Sequence, residues 1–401
     1  MSKKVLFLDF LCFDSSIQVG SHKYIHLFKK NGYEVFSLTN FLNINRFFRR
    51  HDEDKELIAA WKAGIKESKE GVLSYTPFCL VPYLNLPVLD RLSLANNCLR
   101  FCYPGLRKIL AEKNFLDVDV LFINNIRLIS VLKFVRAQKS ILRISDRIEG
   151  FANMPRTILD LQKQVIKSTD HVVATSKNLH EYVAAHNPDS HYLPNGVDED
   201  FILKAGEVPE RPEEYKNLTK PIVLYVGAIS DWFDYDLYEY GVSHLQEFNF
   251  VIIGPISGVQ SRNHILRIEK LAKTYGNFRY LGPRRHAELK KYLFHAKVGT
   301  IPFKISPLTN DINPIKLFEY CAYGLPTTAS NMSELDHYSD HVFIYKDQEG
   351  YIKLLQDCVR NKNDLKPQLI DFARDNTWEK RFAYMLGILN GREGKDESLI
   401  S

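Results

Sequence analysis

Two acids and a lysine lie close together in the segment NDINPIKLFEYCAYGLP, residues 310 to 326. Asp311, Lys316 and Glu319 fall within nine positions of one another. On a helix, Lys316 and Glu319 would share one face, since residues three apart are neighbours there. A lysine can hold phosphates, and a carboxylate beside it can accept two sugar hydroxyls. A nucleoside diphosphate carries both features, although a helical Lys/Glu pair without a function also fits the spacing.

The predicted elements around this segment would present it to a ligand. VGTIPF reads as a strand that ends at Phe303, and Pro314 is a residue favoured at the start of a helix. The first turn of a helix offers free N–H groups and the positive end of the helix dipole, which together attract anions. Lys316 would add a full positive charge at the same place. The segment therefore predicts a phosphate-binding helix start.

Strand and helix patterns alternate in both halves of the chain, which predicts parallel sheets covered by helices on both faces. Between the halves, residues 204 to 221 are rich in Pro, Glu and Lys and read as a linker. In such folds ligands bind at the carboxyl ends of the strands, so we expect a ligand cleft there. In the first half, the predicted strands are KKVLFLDF, a strand that begins after Gly32 in HKYIHLFKKNGYEVFSL, VDVLFI, SILRIS, HVVATS and HYLPNG. In the second half they are PIVLYVGAIS, FNFVIIGP, NFRYLGP, KVGTIPF and LPTTAS.

The composition is that of a soluble globular protein, with 45% apolar and 25% charged residues in 401. This length suits two domains. The six cysteines lack the spacing of a zinc site, so we expect reduced thiols in a cytoplasmic protein. No run approaches the roughly 20 apolar residues of a membrane span. The apolar N-terminus is interrupted by Asp9 and reads as a first strand rather than a signal peptide.

Positive charge is concentrated in the first half of the chain. Residues 1 to 170 hold 26 Lys and Arg against 17 Asp and Glu, a balance of +9, whereas the whole chain carries +5. This asymmetry suits an anionic surface or substrate, although an ordinary surface of mixed charge explains it equally. Residues 41 to 65 combine Phe47, Phe48 and Trp61 with three arginines and predict either an interfacial helix at acidic lipids or an amphipathic helix with core aromatics.

The segment NDINPIKLFEYCAYGLPTTAS resembles the nucleotide-sugar-binding signature of GT-B glycosyltransferases, in which an acid, seven residues and a glutamate precede a small-residue helix and a G-x-P turn. Asp311 and Glu319 have this spacing, with Asp in place of the commoner first Glu. Further matches cover the second half and the end of the first half. They are YVGAISDWFD, IIGP, YLGPRRHAELKKYLFHAKVGTIPF, NTWEKRFAYM, VATSKNL and LPNGVD.

The resemblance implies an α/β protein of two Rossmann-like domains, with an acceptor-binding domain at residues 1–204 and a nucleotide-sugar-binding domain at residues 205–375. The final helix, residues 376–390, would return to the first domain. It implies a nucleotide-sugar donor as substrate, a UDP-sugar, with no metal and no further cofactor. Donor contacts are then expected at Gly227, Phe303, Asp311, Asn313, Lys316, Leu317 and Glu319.

Among GT-B enzymes, the chain looks most like family 4 and the xanthan-type glucuronosyltransferases, which elongate lipid-linked sugars. This likeness implies a lipid-linked saccharide acceptor, a cytoplasmic protein at the anionic inner face of the membrane, and no nucleic-acid partner. GAISDWFDYD lacks the basic residue that many relatives carry after this strand. Lys316 would then carry more of the phosphate charge, unless Arg284 or Arg285 contributes.

Asp146 follows the strand SILRIS and resembles the catalytic aspartate of the xanthan-type enzymes, which implies an inverting transfer with Asp146 as base. It could instead cap the following helix. Asp14, His22 and Glu149 are weaker candidates for the base. A retaining transferase of the family 4 type and a non-catalytic nucleotide-sugar-binding protein remain alternatives. A dinucleotide-dependent oxidoreductase is disfavoured, because no G-x-G-x-x-G follows a first strand.

Overall fold

The computed structural model describes residues 2–13, 15, 19–48, 52–82, 89–151, 154–258 and 260–391. Its contacts divide the chain into two compact units. The first runs to Leu193 and takes up the chain again from Phe382, and the second runs from Pro194 to Arg381. The boundary expected at residue 204 therefore falls within the second unit. None of the helices in the described part of the chain is both long enough and apolar enough to cross a bilayer.

An eight-stranded sheet forms the centre of the first unit. Its strands are β1 (Lys4–Leu8), β2 (Glu34–Leu38), β3 (Lys66–Glu67), β4 (Leu73–Tyr75), β5 (Asp117–Ile123), β6 (Arg136–Ile144), β7 (His171–Ala174) and β8 (Ser190–Tyr192). They are ordered β3-β4-β2-β1-β5-β6-β7-β8, and every pair is parallel except β3 with β4. The sequence patterns missed β3 and β4, which have only two and three residues.

Helices flank this sheet and bury their apolar faces against it. In α5, for example, Ile158, Leu161 and Val165 are buried at helical spacing, and they join a core that includes β1 and β5 residues. The α-helices are α1 (Gly20–Lys30), α2 (Asp52–Ala63), α3 (Leu92–Ala95), α4 (Leu106–Glu112), α5 (Arg156–Ser168) and α6 (Lys177–Ala184). Short 3₁₀ helices lie at Ile44–Phe48, Cys98–Phe101, Ile126–Lys133 and Ile148–Gly150.

The second unit contains a six-stranded sheet in which all pairs are parallel. Its strands are β9 (Ile222–Val226), β10 (Asn249–Ile253), β11 (Phe278–Tyr280), β12 (Val298–Ile301), β13 (Thr327–Ser330) and β14 (Phe343–Tyr345), in the order β11-β10-β9-β12-β13-β14. β9 and β10 are buried at every residue, as expected for strands covered on both faces. The sequence patterns missed β14.

The helices of the second unit include a 28-residue helix, α12, near the end of the chain. They are α7 (Tyr235–His244), α8 (Ser261–Thr274), α9 (His286–His295), α10 (Pro307–Asn310), α11 (Ile315–Cys321) and α12 (Gln348–Asp375). Short 3₁₀ helices lie at Glu199–Phe201, Glu213–Tyr215 and Ser333–Tyr338. The segment 204–221, expected as a linker, packs onto this unit because Tyr215 and Leu218 are buried in its core.

The last helix, α13 (Trp378–Leu389), begins in the second unit and continues into the first, which takes it up from Phe382. Within the first unit, the ring of Phe382 packs edge-on against Phe28 of α1, with centroids 4.9 Å apart. Helix α13 therefore packs, through Phe382, on the unit that contains the first strand.

Strand order reverses beside the first strand of each sheet. β1 lies between β2 and β5, and β9 lies between β10 and β12, so the chain winds outward in one direction and then in the other. The crevice outside the carboxyl ends of the strands at such a switch point is where open α/β sheets bind ligands. Residues that follow β1, β5, β9 and β12 therefore lie where a ligand is expected.

Candidate functional site

Lys316 lies at the switch point of the second sheet. α11 begins at Ile315, directly after Pro314, so Lys316 is in its first turn. The Lys316 Nζ atom is 4.6 Å from the ring centre of Phe303, which follows β12. It is also 5.5 Å from the ring centre of Tyr225 in β9. The lysine predicted from the sequence is thus held over two aromatic rings at the strand ends.

The surroundings of Lys316 make its charge costly. Burial lowers the pKa of its ammonium to about 8, while the charge of Glu319 acts in the opposite direction. Within the described parts of the chain, this ammonium has no hydrogen-bond acceptor, and its neighbours are ring faces. A cation in such a place would gain from an incoming anion. The geometry therefore suits the binding of a phosphate group.

Two glycines keep the backbone close to this lysine. Gly227, directly after β9, has φ +147°, and a Cβ added there would lie 3.0 Å from the Lys316 Cε. Gly254, directly after β10, has φ +151°, and a Cβ there would meet the Gly227 carbonyl oxygen at 2.0 Å. Both conformations are ones that residues with side chains rarely adopt. Only glycine at both positions allows the two turns to approach each other beside Lys316.

Glu319 makes a contact that the sequence patterns did not predict. Its Oε1 lies 2.7 Å from Nε2 of His286, the first residue of α9. The His286 ring stacks on Phe201 with centroids 4.4 Å apart, and its Nδ1 is 4.0 Å from an Asp198 carboxylate oxygen. The Glu319 side chain is 14% exposed, so the carboxylate is positioned yet accessible. The quoted motifs LPNGVD and YLGPRRH contain Asp198 and His286, but their pairing depends on tertiary packing.

The other predicted donor-binding residues lie deeper in the unit. Asp311 follows α10 and is 4% exposed. The Asn313 side-chain amide donates to Glu334 Oε1 at 3.0 Å and to the Tyr338 hydroxyl at 2.9 Å. Leu317 is buried in the core, and its N–H donates to the Pro314 carbonyl at 3.0 Å. These contacts hold α11 in place, and direct contact of the three residues with a donor stays a prediction.

Arg284, the alternative phosphate-binding cation, is engaged elsewhere. Its guanidinium lies 2.9 Å from Glu214 Oε1 and donates to the Tyr292 hydroxyl at 3.2 Å. These contacts raise the pKa of Arg284 and help to lower that of Glu214. The loop after β9, residues 227 to 234, contains no Lys or Arg. Its last residue, Asp234, caps α7 by accepting the Leu237 N–H at 3.1 Å. Lys316 is therefore the predicted cation that packs against the rings of Tyr225 and Phe303 beside these strand ends.

In the first unit, β6 ends at Ile144, and Asp146 lies two residues further along the chain and is partly buried. Its Oδ2 accepts a hydrogen bond of 2.8 Å from the Ser145 hydroxyl. Burial raises the pKa of the Asp146 carboxyl, against the opposing effects of the Ser145 hydrogen bond and the positive charge of Arg143. A carboxylate with a raised pKa is better suited to accept a proton than an ordinary one.

Arg143 belongs to a polar cluster at the switch point of the first sheet. It is 7% exposed, and its Nη1 donates to Asn124 Oδ1 at 3.4 Å. Asn124, which follows β5, donates in turn to Oδ1 of Asp9 at 3.0 Å. Asp9, which follows β1, is fully buried. The cluster was not predicted, although Asp9 and Asn124 are polar residues placed directly after apolar strands, which is the signal that could have identified it.

The weaker candidates for the base are differently placed. His22 is buried, which lowers its pKa. Its Nδ1 accepts the Val19 N–H at 3.1 Å, so a neutral ring carries its proton on Nε2, which lies 3.1 Å from the Cys12 carbonyl oxygen. Glu149 is exposed and accepts a hydrogen bond of 3.1 Å from the Tyr182 hydroxyl. Asp14 lies outside the described residues.

Solved structures share this architecture over nearly the whole chain. A glycosyltransferase from Rickettsia africae has a TM-score of 0.65 and 15% identity, covering 100% of this chain and 99% of its own. Anabaena Alr3699/HepE, solved with UDP-glucose, has a TM-score of 0.65 and 12% identity over 96% of this chain and 99% of its own. These neighbours are GT-B proteins with two Rossmann-like domains. The chain has the GT-B fold.

In sequence, this GT-B chain is similar to TuaH of Bacillus subtilis (strain 168), which is named for a glycosyltransferase role in teichuronic acid biosynthesis. The two are 23% identical over 244 residues, which cover 58% of this chain and 59% of TuaH. The chain therefore matches about three fifths of the length of this relative. No family model matches the sequence.

Proposed function

We propose that this chain is a glycosyltransferase that moves a sugar from a nucleotide-diphosphate donor, a UDP-sugar, to a saccharide acceptor in polysaccharide synthesis. The observation that carries the proposal is Lys316, a cation with a lowered pKa that is held over Phe303 and Tyr225 at the switch point. The likeness to a protein solved with UDP-glucose, and to one named for teichuronic acid biosynthesis, supports it.

On the donor side, Lys316 would bind the diphosphate and Glu319 the ribose hydroxyls. As the bond to the sugar breaks, negative charge grows on the leaving diphosphate, and a pre-positioned ammonium stabilises that charge without rearrangement. Glu319 is held by His286 at 2.7 Å, so its carboxylate is oriented before the ligand arrives. The Lys316 ammonium and the Glu319 carboxylate are therefore both held in position by contacts within the folded unit.

On the acceptor side, Asp146 would take the proton from the attacking hydroxyl in an inverting transfer. Burial raises the pKa of this carboxyl, which favours proton uptake, while the Ser145 hydrogen bond and the positive charge of Arg143 act in the opposite direction. In a retaining transfer, by contrast, no base on the acceptor would be required at this position. The configuration of the product at its anomeric carbon distinguishes the two mechanisms.

The acceptor would be lipid-linked and bound at the anionic inner face of the cell membrane. An apolar patch on the first unit supports this part of the proposal, since large side chains are exposed there on neighbouring segments. The apolar patch is the name used for the exposed side chains of Phe47, Phe48, Leu80, Val81, Phe101 and Tyr103, on segments linked by the Leu80–Phe101 backbone hydrogen bond and by the ring contact of Phe47 with Phe78. The charge of +9 over residues 1 to 170 would complement anionic lipid headgroups. A large exposed apolar patch commonly marks an interaction surface.

The test is a panel of nucleotide sugars assayed for transfer and for hydrolysis with the purified full chain. We expect turnover with at least one UDP-sugar. Asp146→Asn should abolish this turnover while donor binding, measured by isothermal titration calorimetry with UDP, is retained. Unchanged turnover in that variant would remove the inverting assignment. UDP binding without transfer or hydrolysis of any donor would indicate a nucleotide-sugar-binding protein instead.

A further inference from the structure

Cys79 and Cys102 face each other across two antiparallel segments of the first unit, where they form an isolated antiparallel bridge. Two backbone hydrogen bonds of 2.9 Å flank the bridge, from the Leu80 N–H to the Phe101 carbonyl and from the Tyr103 N–H to the Phe78 carbonyl. This pattern makes the two cysteines a pair without hydrogen bonds between their own backbones. In such pairs the opposing Cα atoms are closest, at roughly 4.5 Å, and the side chains lie nearest each other.

This arrangement meets the geometric requirement of a disulfide, which joins residues whose Cα atoms are about 4.4 to 6.8 Å apart and whose Cβ atoms face each other. In the structure both cysteines are present as free thiols. We infer that Cys79 and Cys102 form a reversible intramolecular disulfide when the chain meets a peroxide. The inference goes beyond the proposed transferase activity and does not depend on it.

The environment of the pair favours reaction at Cys79. The neighbouring Cys102 side chain lowers the pKa of Cys79, whereas the Cys79 side chain and burial raise the pKa of Cys102. The Cys79 thiol donates a hydrogen bond of 3.3 Å to the Cys98 carbonyl. Cys98, a third thiol in the same region, is buried, and burial raises its pKa to about 12. The order of reactivity is therefore expected to place Cys79 ahead of Cys98. Cys79 is fully buried and Cys102 is 7% exposed, so the peroxide would enter through local opening beside Cys102.

The chemistry balances in two steps. The Cys79 thiolate attacks one oxygen of the peroxide, the O–O bond breaks, and a sulfenic acid and one water are formed once the leaving oxygen takes up a proton. The Cys102 sulfur then attacks the Cys79 sulfur, the S–O bond breaks, and the second water leaves with the Cys102 proton. Two thiols are oxidised to one disulfide, and one peroxide is reduced to two waters.

The disulfide would join the segments that carry part of the apolar patch. Leu80 directly follows Cys79, while Phe101 and Tyr103 flank Cys102, and all three side chains are exposed. In the reduced protein, the isolated bridge and its backbone hydrogen bonds hold these segments together. The covalent link would fix their spacing, because a cross-link removes conformations in which the segments separate.

The experiment treats the purified full chain with hydrogen peroxide, denatures it in the presence of iodoacetamide, and maps the products by peptide mass spectrometry. We expect two of the six thiols to escape alkylation. The Cys79 and Cys102 peptides should then be cross-linked, with loss of two hydrogen atoms, and dithiothreitol should restore both thiols. Cys98→Ser should retain the cross-link, whereas Cys102→Ser should lose it.

Other products would overturn the inference. These are a cross-link of either cysteine to Cys98, disulfides between chains, or oxidation of all six thiols at similar rates. Because the mapping is made on the unaltered protein, the result stands even if a cysteine variant fails to fold. Circular dichroism of each variant identifies such a failure before its cross-link is scored.

Discussion

Replacing Lys316 by Met should make the protein more stable and a poorer ligand for UDP. Burial lowers the pKa of this lysine from 10.5 to about 8, which corresponds to a cost of about 3 kcal/mol for its charged form. Met has a similar shape and no charge, so it removes that cost. It also removes the cation–π contacts with Phe303 and Tyr225, worth about 0.5 to 2 kcal/mol. A net gain of about 1 kcal/mol in the free energy of unfolding is expected near neutral pH.

The same substitution should weaken UDP binding roughly 10- to 150-fold, because a hydrogen bond to a charged group contributes about 1.5 to 3 kcal/mol. The measurement is isothermal titration calorimetry with UDP, with the melting temperature recorded in parallel. Lys297→Met is the matched control, since Lys297 is an exposed lysine directly before β12, at the opposite edge of the sheet. It should change neither quantity appreciably.

The pH dependence gives a second, independent check. In the folded chain Lys316 loses its proton near pH 8, whereas in the unfolded chain it does so near 10.5. UDP affinity of the wild type should therefore fall as pH rises above about 8, and that of Lys316→Met should not. The stability advantage of the variant should shrink over the same interval, because the unfolded wild-type chain then binds more protons than the folded one. A variant that is destabilised, or that binds UDP as tightly as the wild type, would refute this account of Lys316.

Three further substitutions test the remaining assignments. Glu319→Ala should weaken binding of UDP more than that of 2′-deoxy-UDP, and an equal loss for both in calorimetry would contradict a ribose contact. Arg143→Met should raise the pKa of Asp146 further, so the acid limb of the pH–rate profile should move to higher pH. An unchanged acid limb would show that Arg143 does not influence the titration of Asp146. Phe101→Asp with Tyr103→Asp should reduce co-sedimentation with vesicles containing anionic lipid while UDP binding stays unchanged, and undiminished sedimentation would exclude the apolar patch as the membrane contact.

The sequence predicted most of the sheet strands and the position of Lys316, because both depend on local patterns. Buried parallel strands are runs of apolar residues, and a helix that begins after Pro314 necessarily places Lys316 in its first turn. The short strands β3 and β14 have two and three residues. They leave too little periodicity to be recognised, so one edge of each sheet was not predicted, whereas β8 and β11 at the other edges were.

The contacts of the site could not be read from the sequence in the same way. Glu319 and His286 are 33 positions apart, and Asp9 and Asn124 are 115 apart. Each residue has an ordinary local explanation, as a helix charge, a helix start or a strand end. Only the packing of separate strands and helices brings the pairs together. The region at residues 41 to 65 is a related case, because Arg46 is 2.9 Å from Asp54 and its charge is already compensated there.

The two switch points differ in how their buried cations are balanced, and this difference supports the roles proposed for the two units. In the first unit, Arg143 is buried together with the carboxylates of Asp146 and Asp9, whose charges oppose the lowering of its pKa. In the second unit, Lys316 packs against two aromatic rings, and the charge of Glu319 favours its protonated form. A site that already holds its own negative charges suits a neutral acceptor hydroxyl and a carboxylate base. A site whose cation lies over aromatic rings and is lowered in pKa by burial suits a ligand that brings negative charge, as a nucleoside diphosphate does.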